Sequence, residues 1–569
     1  MTQSSRLKER RWVGALAGAL YGVLAFIGAA SAQIPGGLPG AVQPGRDRPP
    51  LSEPAKPNFD FHIETPGRST VPRAVDEIRF HLKDIEIKGA VTISPARFRP
   101  YYQKLIGTEV SLSDILDVAD AIENEYRRNG FILVRAFVPP QRVADGIFTI
   151  NVVEGFIANV TVEGGDANTR ERIRDYLQPA RESRPLKLAA VEKALLLAND
   201  LPGISASGLL RPSPDTPGAS DLVVTVPDTP VQGGIAIDNR GSRFSGIWSA
   251  TLDGEFNSVL DGGDQLGISL TGTLGEEPLE RSDAQLRYLH PVGDSGGLLS
   301  LIGTITHGEP ASTLTAFNVL TDSWAVGPRF SWPLERTRAE SIVFEGGITF
   351  QSADVNILGS PLSRDRWRVA DFGVSYQQSG FLGGDWSGNL DIAQGLPILG
   401  ASRNGETDLS RAGARMDFTK LSGGLRFTRP LWGAFSMVLA GQGQYAFDPL
   451  LVGEQFTFGG SQIGRGYDLG ALTGDHGLGG SAEAHYDHHF TNPVLQALEP
   501  YIFFDTARVW DVGSTAPSQG IASVGGGLRA WLEYNAFADV EVAQTLEAVP
   551  GSDGGRRATK VLLNLSVRY

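Results

Sequence analysis

The sequence predicts an α+β head of two repeated β-α-α-β-β units, followed by an all-β transmembrane barrel. Three observations predict it. Helical periodicity is confined to the chain before about residue 228. Short alternating runs broken by glycine-rich turns fill residues 229–569. Gly89 and Gly164 close corresponding strands 75 residues apart, which gives the head an internal period.

Composition sets the outer bounds. A net charge of -14 over 569 residues offers no basic face for phosphates, so nucleic acid is not an expected partner. The chain has 0 cysteines, so neither a disulfide framework nor a thiolate metal site is available. A mean hydropathy of -0.10 is too mild for a helical membrane protein. A transmembrane barrel looks this mild, because lumen-facing polar residues alternate with lipid-facing apolar ones.

Residues 1–32 read as a secretory signal peptide. Arg6, Lys8, Arg10 and Arg11 precede an apolar run from Trp12 to Gly28, and Ala30-Ser31-Ala32 has the small residues of a cleavage site. Residues 33–75 form a Pro/Gly-rich linker, including Pro35, Pro39, Pro44 and Pro49, and are expected to be extended or disordered. They carry no amphipathic helix pattern.

The first repeat spans residues 76–155. Leu82, Ile85 and Ile87 mark a strand ended by Gly89. Ser94-Pro95 opens a helix expected to run to Ile106, since proline suits the first helical position. Ser111 with Asp114 opens a second helix, with Ile115, Val118, Ala119, Ile122 and Tyr126 on one face and Asn129-Gly130 as its stop. Strands follow at 131–138 and 147–153. The second repeat, residues 156–228, has a strand closed by Gly164, helices at 168–177 and 186–200, and strands at 204–210 and 222–226. Each unit is expected to leave a sheet edge open, where an extended peptide can add a strand through main-chain hydrogen bonds.

From residue 229 onward the period is two. Leu266, Ile268 and Leu270 alternate with small or polar groups, and Val561, Leu563, Leu565, Val567 and Tyr569 do so at the chain end. Tyr288, Trp248, Trp531 and Tyr501 stand near strand ends, where a membrane interface favours aromatics. At ~10 residues per tilted strand this length holds roughly 14–18 strands. Lipid satisfies no unpaired backbone group, so the sheet must close.

The stretch Phe456 to Asp468 interrupts this pattern with glycines at 459, 460, 464 and 466 around Arg465. Taken alone it reads as a surface loop. A second reading tucks it into the barrel. Phe503, Asp505 and Ala507 share one strand face. If that face is the lumen, Asp505 needs a partner or water. Arg465 on an inward-folded loop would supply a charge-assisted bond. His485, Asp487 and His489 also share a face, but they read as polar rim residues near Asn492-Pro493 rather than as a metal set. No nucleophile–base pair, phosphate loop or paired-carboxylate signature appears, so neither catalysis nor a cofactor is expected.

Together these features resemble the two-partner secretion transporters, the haemolysin secretion/activation proteins of ShlB/FhaC/HecB (TpsB) type. Those belong to the superfamily of POTRA-bearing outer-membrane insertases and transporters. Four places carry the resemblance. They are Asp238-Asn-Arg-Gly241 with Gly246 and Gly263-Asp264, Tyr288-Leu-His-Pro291 with Gly293, Gly464-Arg-Gly-Tyr467, and Phe503-Phe-Asp-Thr-Ala507. Two departures stand out: Gly464 where the family commonly has valine, and Ala507 where it has glycine.

The resemblance implies two POTRA-like units and a barrel of sixteen antiparallel strands in the outer membrane, with the units in the periplasm. It implies a tether from Arg465 to Asp505, seated by Gly464, Gly466, Tyr467, Phe503 and Ala507. Asp238, Asn239 and Gly241 would mark the barrel start. The implied function is secretion, with possible activation, of a large partner exoprotein of haemolysin or haemagglutinin type. The POTRA-like units would bind the unfolded passenger, and the transporter would be a monomer in lipid. No plug helix is expected, since residues 33–75 lack one. A barrel-protein insertase and a passive porin are the alternatives.

Overall fold

The computed structural model describes residues 59–64, 79–142, 146–227, 229–275, 280–550 and 552–569. The expected signal peptide and most of the expected linker lie outside them.

The first unit is a three-stranded sheet ordered Asp84–Lys88, Ile147–Glu154, Val134–Phe137. Its outer strand Asp84–Lys88 runs parallel to the centre and Val134–Phe137 antiparallel. Helix Leu112–Arg128 starts at a reciprocal capping box. The Ser111 side chain accepts from the Asp114 N–H, and the Asp114 carboxylate accepts from the Ser111 N–H. Ile115, Val118, Ala119, Ile122 and Tyr126 are buried against the sheet, as their spacing predicts. The helix expected from Pro95 to Ile106 is shorter. A 3-10 turn, Pro95–Phe98, runs into a single helical turn, Arg99–Tyr102. Beyond it the Gly107 N–H donates to the Leu82 carbonyl at 2.7 Å, and Phe80 pairs with Val110. Residues 103–107 turn instead, with the Leu105 N–H on the Tyr102 carbonyl and the Thr108 N–H on the Leu105 carbonyl, and lead into the strand Glu109–Ser111.

The second unit repeats this order, with helices Ala167–Glu182 and Leu188–Asn199 over strands Ile157–Gly164, Ser207–Pro212 and Ser220–Val226. The two glycines that gave the period are structural equivalents. Gly89 has φ +81 and Gly164 φ +87. A Cβ there would lie 2.2 Å from the Val152 carbonyl oxygen in one unit and 2.3 Å from that of Val226 in the other.

One edge expected to be open is occupied. Asp60–Ile63, from the Pro/Gly-rich segment, pairs parallel with Ser207–Pro212, and Phe61 covers Gly208 beside Leu195. Phe59 and Phe61 fall on one side of the pleat and pack against the second unit's core, which holds this short segment at the edge.

Residues 231–568 close into an antiparallel barrel of sixteen strands. His476–Tyr486 and His488–His489 count as one strand, interrupted at Asp487. The barrel shuts where Val231–Asp238 meets Thr559–Arg568, with Gly234 opposite Arg568 and Asp238 opposite Asn564. Outward positions are apolar and exposed, among them Leu252, Leu270, Leu301, Leu390, Ile502 and Leu565. An apolar belt of that extent faces lipid. Trp248 also points outward, but Trp531, on the strand face of Ser523 and Arg529, and Tyr501 do not. Tyr501 lies on the lumen face of Leu495–Trp510, buried, with its hydroxyl 2.7 Å from Glu541. Strand parity, not closeness to a strand end, decides its side.

The second unit is clamped to the hairpin turns at the near end of the barrel. Arg172 meets Asp261 at 3.3 Å, Arg336 meets Asp200 at 2.6 Å, and Arg338 meets Glu192 at 3.2 Å. Gly262 lies so close that a Cβ would sit 2.1 Å from the Thr169 nitrogen, at the start of helix Ala167–Glu182. Asp264 organises this turn. It accepts the N–H groups of Val259, Leu260 and Asp261, and the Tyr288 hydroxyl at 2.7 Å.

Candidate functional site

The long connection between strands Phe435–Ala446 and His476–Tyr486 folds back into the lumen. Its base is a small hairpin, Phe456–Phe458 against Leu472–Gly474. The apolar side chains Phe456, Phe458, Ile463, Tyr467 and Leu472 pack on Ala507, Val509 and Ile521 of the inner wall. This burial brings the polar tip to one place on the wall.

There Arg465 meets Asp505. Both are buried, at 3% and 0% exposure. Nη2 of Arg465 lies 2.8 Å from one carboxylate oxygen and Nε 3.0 Å from the other. The main-chain N–H groups of Gly464 and Arg465 each donate to that second oxygen at 3.1 Å. Ser523 donates to it at 3.3 Å. The guanidinium also stacks on Phe503, 3.5 Å above the ring centroid. Its remaining donors reach Ser481 at 3.1 Å, Glu483 at 3.0 Å and Glu541 at 3.5 Å. The planar fork of arginine therefore serves three acidic residues at once, which a lysine cannot do.

The neighbouring glycines are sterically required. Gly464 has φ +86, and a Cβ would lie 2.5 Å from the Ile521 side chain. Gly466 leaves only 3.1 Å to Thr545. Tyr467 places its hydroxyl 2.8 Å from the Ala522 carbonyl and accepts from the Glu547 N–H at 3.0 Å. The structure thus brings together Arg465, Asp505, Gly464, Gly466, Tyr467, Phe503 and Ala507.

Asp238, Asn239 and Gly241 lie elsewhere, at the closing seam. Asp238 accepts from the Arg240 N–H and the Ser249 hydroxyl. Asn239 prolongs the seam ladder by donating to the Val561 carbonyl and accepting from the Leu563 N–H. Gly241 is pressed against the Gly246 carbonyl, 2.0 Å from a built Cβ.

Several partners escaped the sequence reading: Ser481, Glu483, Ser523, Glu541 and Arg240. A signal for them existed. Glu541 alternates with Val540 and Val542, and Ser481 and Glu483 alternate with Ala482, as lumen residues must. Nothing in that alternation says which lumen charges meet. His485 is not a rim residue. It is buried between Glu499 at 2.7 Å and Glu483 at 2.8 Å, while His488 and His489 are exposed.

The comparisons agree with this fold. Residues 218–530 match the family described as haemolysin secretion/activation protein ShlB/FhaC/HecB, and residues 80–155 match the ShlB-type POTRA domain. The heme/hemopexin transporter protein HuxB of Haemophilus influenzae is 22% identical over 470 residues, covering 79% of this chain and 80% of that protein. The hemolysin transporter protein ShlB of Serratia marcescens is 24% identical, covering 69% and 70%. Among solved structures, CdiB from Escherichia coli superposes with a TM-score of 0.68 at 21% identity, over 89% of this chain and 93% of that one. BamA from Haemophilus ducreyi gives 0.52 at 12% identity, over 86% and 100%, a likeness of fold alone. With a matching family over more than half its length, a closed barrel and POTRA units on the periplasmic side, this chain belongs to the ShlB/FhaC/HecB family of outer-membrane secretion proteins.

Proposed function

We propose that the chain secretes a large partner exoprotein of haemolysin or haemagglutinin type, and that the Arg465 loop gates its passage. The POTRA units capture the unfolded passenger in the periplasm. Since the chain's own strand occupies the Ser207–Pro212 edge, capture falls to the first unit, where Phe137 is exposed on the edge strand Val134–Phe137. A guest strand there displaces Glu123, which accepts from the Ala136 N–H at 2.9 Å. The passenger then threads the lumen past the loop, and its folding outside makes the step one-way. The transporter acts as a monomer and performs no catalysis.

The observation that carries this reading is the buried seat of Arg465 on Asp505 inside a closed barrel. A loop folded into a pore, with its polar tip centred on one charged side chain, can be released as a unit. The test expresses Arg465→Ala together with a partner exoprotein that the parent chain releases into the medium. Passenger should vanish from the medium while the barrel still shows heat-modifiable migration on a gel. Undiminished secretion rejects the gating role.

A further inference from the structure

We infer that Arg240 is a positioning residue that couples the closing seam of the barrel to the seat of the loop. Arg240 follows the first strand, Val231–Asp238. Its guanidinium crosses the lumen side of the last strand, Thr559–Arg568, and reaches the strand beyond, Ala536–Thr545. There it meets Asp539 at 3.1 Å and Glu541 at 3.4 Å. Both carboxylates are buried, and they share the inner face of that strand.

The seam it bridges is the shorter of the two ladders on the last strand. The register pairs Gly234 to Asp238 with Arg568 to Asn564. Gly233 with Tyr569 prolongs it at one end and Asn239 at the other. The neighbouring ladder between Ala536–Thr545 and Thr559–Arg568 is longer, from Ala536 to Gln544.

Glu541 is the shared element. It stands 3.4 Å from Arg240 and 3.5 Å from Arg465, and it accepts the Tyr501 hydroxyl at 2.7 Å. Tyr501 also reaches Asp539 at 3.2 Å. A carboxylate held between two guanidiniums distributes its attraction between them. With Arg240 in place, Asp539 is neutralised and Glu541 makes only a long contact to Arg465, which leaves Arg465 free to close on Asp505. Without Arg240, two carboxylates on one face lose their main cation in a buried site. Such a pair draws on the guanidiniums left beside it, that of Arg529 opposite Asp539 and that of Arg465, 3.5 Å from Glu541, and pulls Arg465 toward Glu541 and away from its seat. Arg240 therefore sets where Arg465 rests, acting through Glu541 from the wall of a cavity it shares with Gly460, Arg465 and Tyr467.

The absence of native cysteine provides the assay. A Val509→Cys reporter lies buried beneath the loop and becomes reactive only when the loop lifts. Full-length protein in outer-membrane vesicles is treated with a water-soluble maleimide. Adding Arg240→Gln should raise the labelling rate roughly fivefold, and Arg240→Lys should leave it near the parent rate. In a Glu541→Gln background, Arg240→Gln should add little further, because the two act through one carboxylate. Heat-modifiable migration confirms assembly of each variant. If Arg240→Gln fails to assemble, Asp539→Asn with Glu541→Gln takes its place and must restore assembly of the Arg240→Gln chain. An unchanged labelling rate in an assembled Arg240→Gln barrel, equal effects with and without Glu541, or no restoration overturns the coupling. None of these readings depends on secretion, so the gating proposal can fail separately.

Discussion

Three donors of Arg465 converge on the carboxylate of Asp505, 40 residues further along the chain: the main-chain N–H at 3.1 Å, Nε at 3.0 Å and Nη2 at 2.8 Å. Asp505 is fully buried, so it relies on these bonds and on those from Gly464 and Ser523 in place of water. Removing the arginine from such a pair costs ~3–5 kcal/mol. Arg465→Lys is expected to behave much like Arg465→Ala, since one ammonium can neither fork onto both oxygens nor stack flat on Phe503. Protease accessibility of the loop in assembled barrels reads this out: both variants should be cut faster than the parent.

Gly464 is expected to reject the family's common valine here. At φ +86, with a built Cβ 2.5 Å from Ile521, a β-branched side chain is strained in both backbone and packing. A penalty of ~1–3 kcal/mol follows for Gly464→Val. Ile521→Ala in the same chain should recover part of it, because the clash is then removed while the backbone strain remains. Loop protease accessibility of the single and double variants checks the order.

The junction between the second unit and the barrel should depend on Gly262. With the Thr169 nitrogen 2.1 Å from a built Cβ, Gly262→Val must push the turn off the start of helix Ala167–Glu182. Hydrogen exchange in that helix is expected to rise, with barrel assembly unaffected. Arg172→Ala, which breaks the 3.3 Å contact to Asp261, should act in the same direction but more weakly, as partly exposed pairs contribute little.

The first unit carries its own pH dependence. Burial pushes the Glu154 carboxyl up, but hydrogen bonds from the Tyr126 hydroxyl, the Thr92 N–H and hydroxyl, and the Val91 N–H outweigh it, so the group sits below its ordinary range. A folded value below the unfolded one stabilises the fold at neutral pH. That contribution is whole above about pH 4.3 and is lost as pH falls through the folded value. Exchange protection of strand Ile147–Glu154, corrected for intrinsic rates, should fall over that acidic window. In Glu154→Gln the acid-dependent part should disappear, with ~1 kcal/mol or less lost at neutral pH, since the amide keeps an acceptor oxygen and most of these bonds are exposed.

Much of this architecture was written in local patterns. Ser111 with Asp114, the helical spacing from Ile115 to Tyr126 and the paired glycines 89 and 164 need only neighbouring residues to act. Strict alternation from residue 229 onward dictated a sheet with one apolar and one polar face, and lipid forces such a sheet to close. The loop and its aspartate were legible because Arg465 lies among glycines and Asp505 on the polar face of an alternating strand. Other matters were decided by distance in space. After Tyr102 the chain turns, and Gly107 bonds to Leu82, far back in the chain, before Val110 pairs with Phe80. The capture of Asp60–Ile63 by the Ser207–Pro212 edge joins segments far apart in the chain, and Tyr501 turned inward through strand parity. The meeting of Arg240, Glu541 and Arg465 depends on barrel closure, which sets the first strand beside the last. Periodicity tells a lumen charge that it faces inward, but only the closed register tells it which opposite charge it will find there.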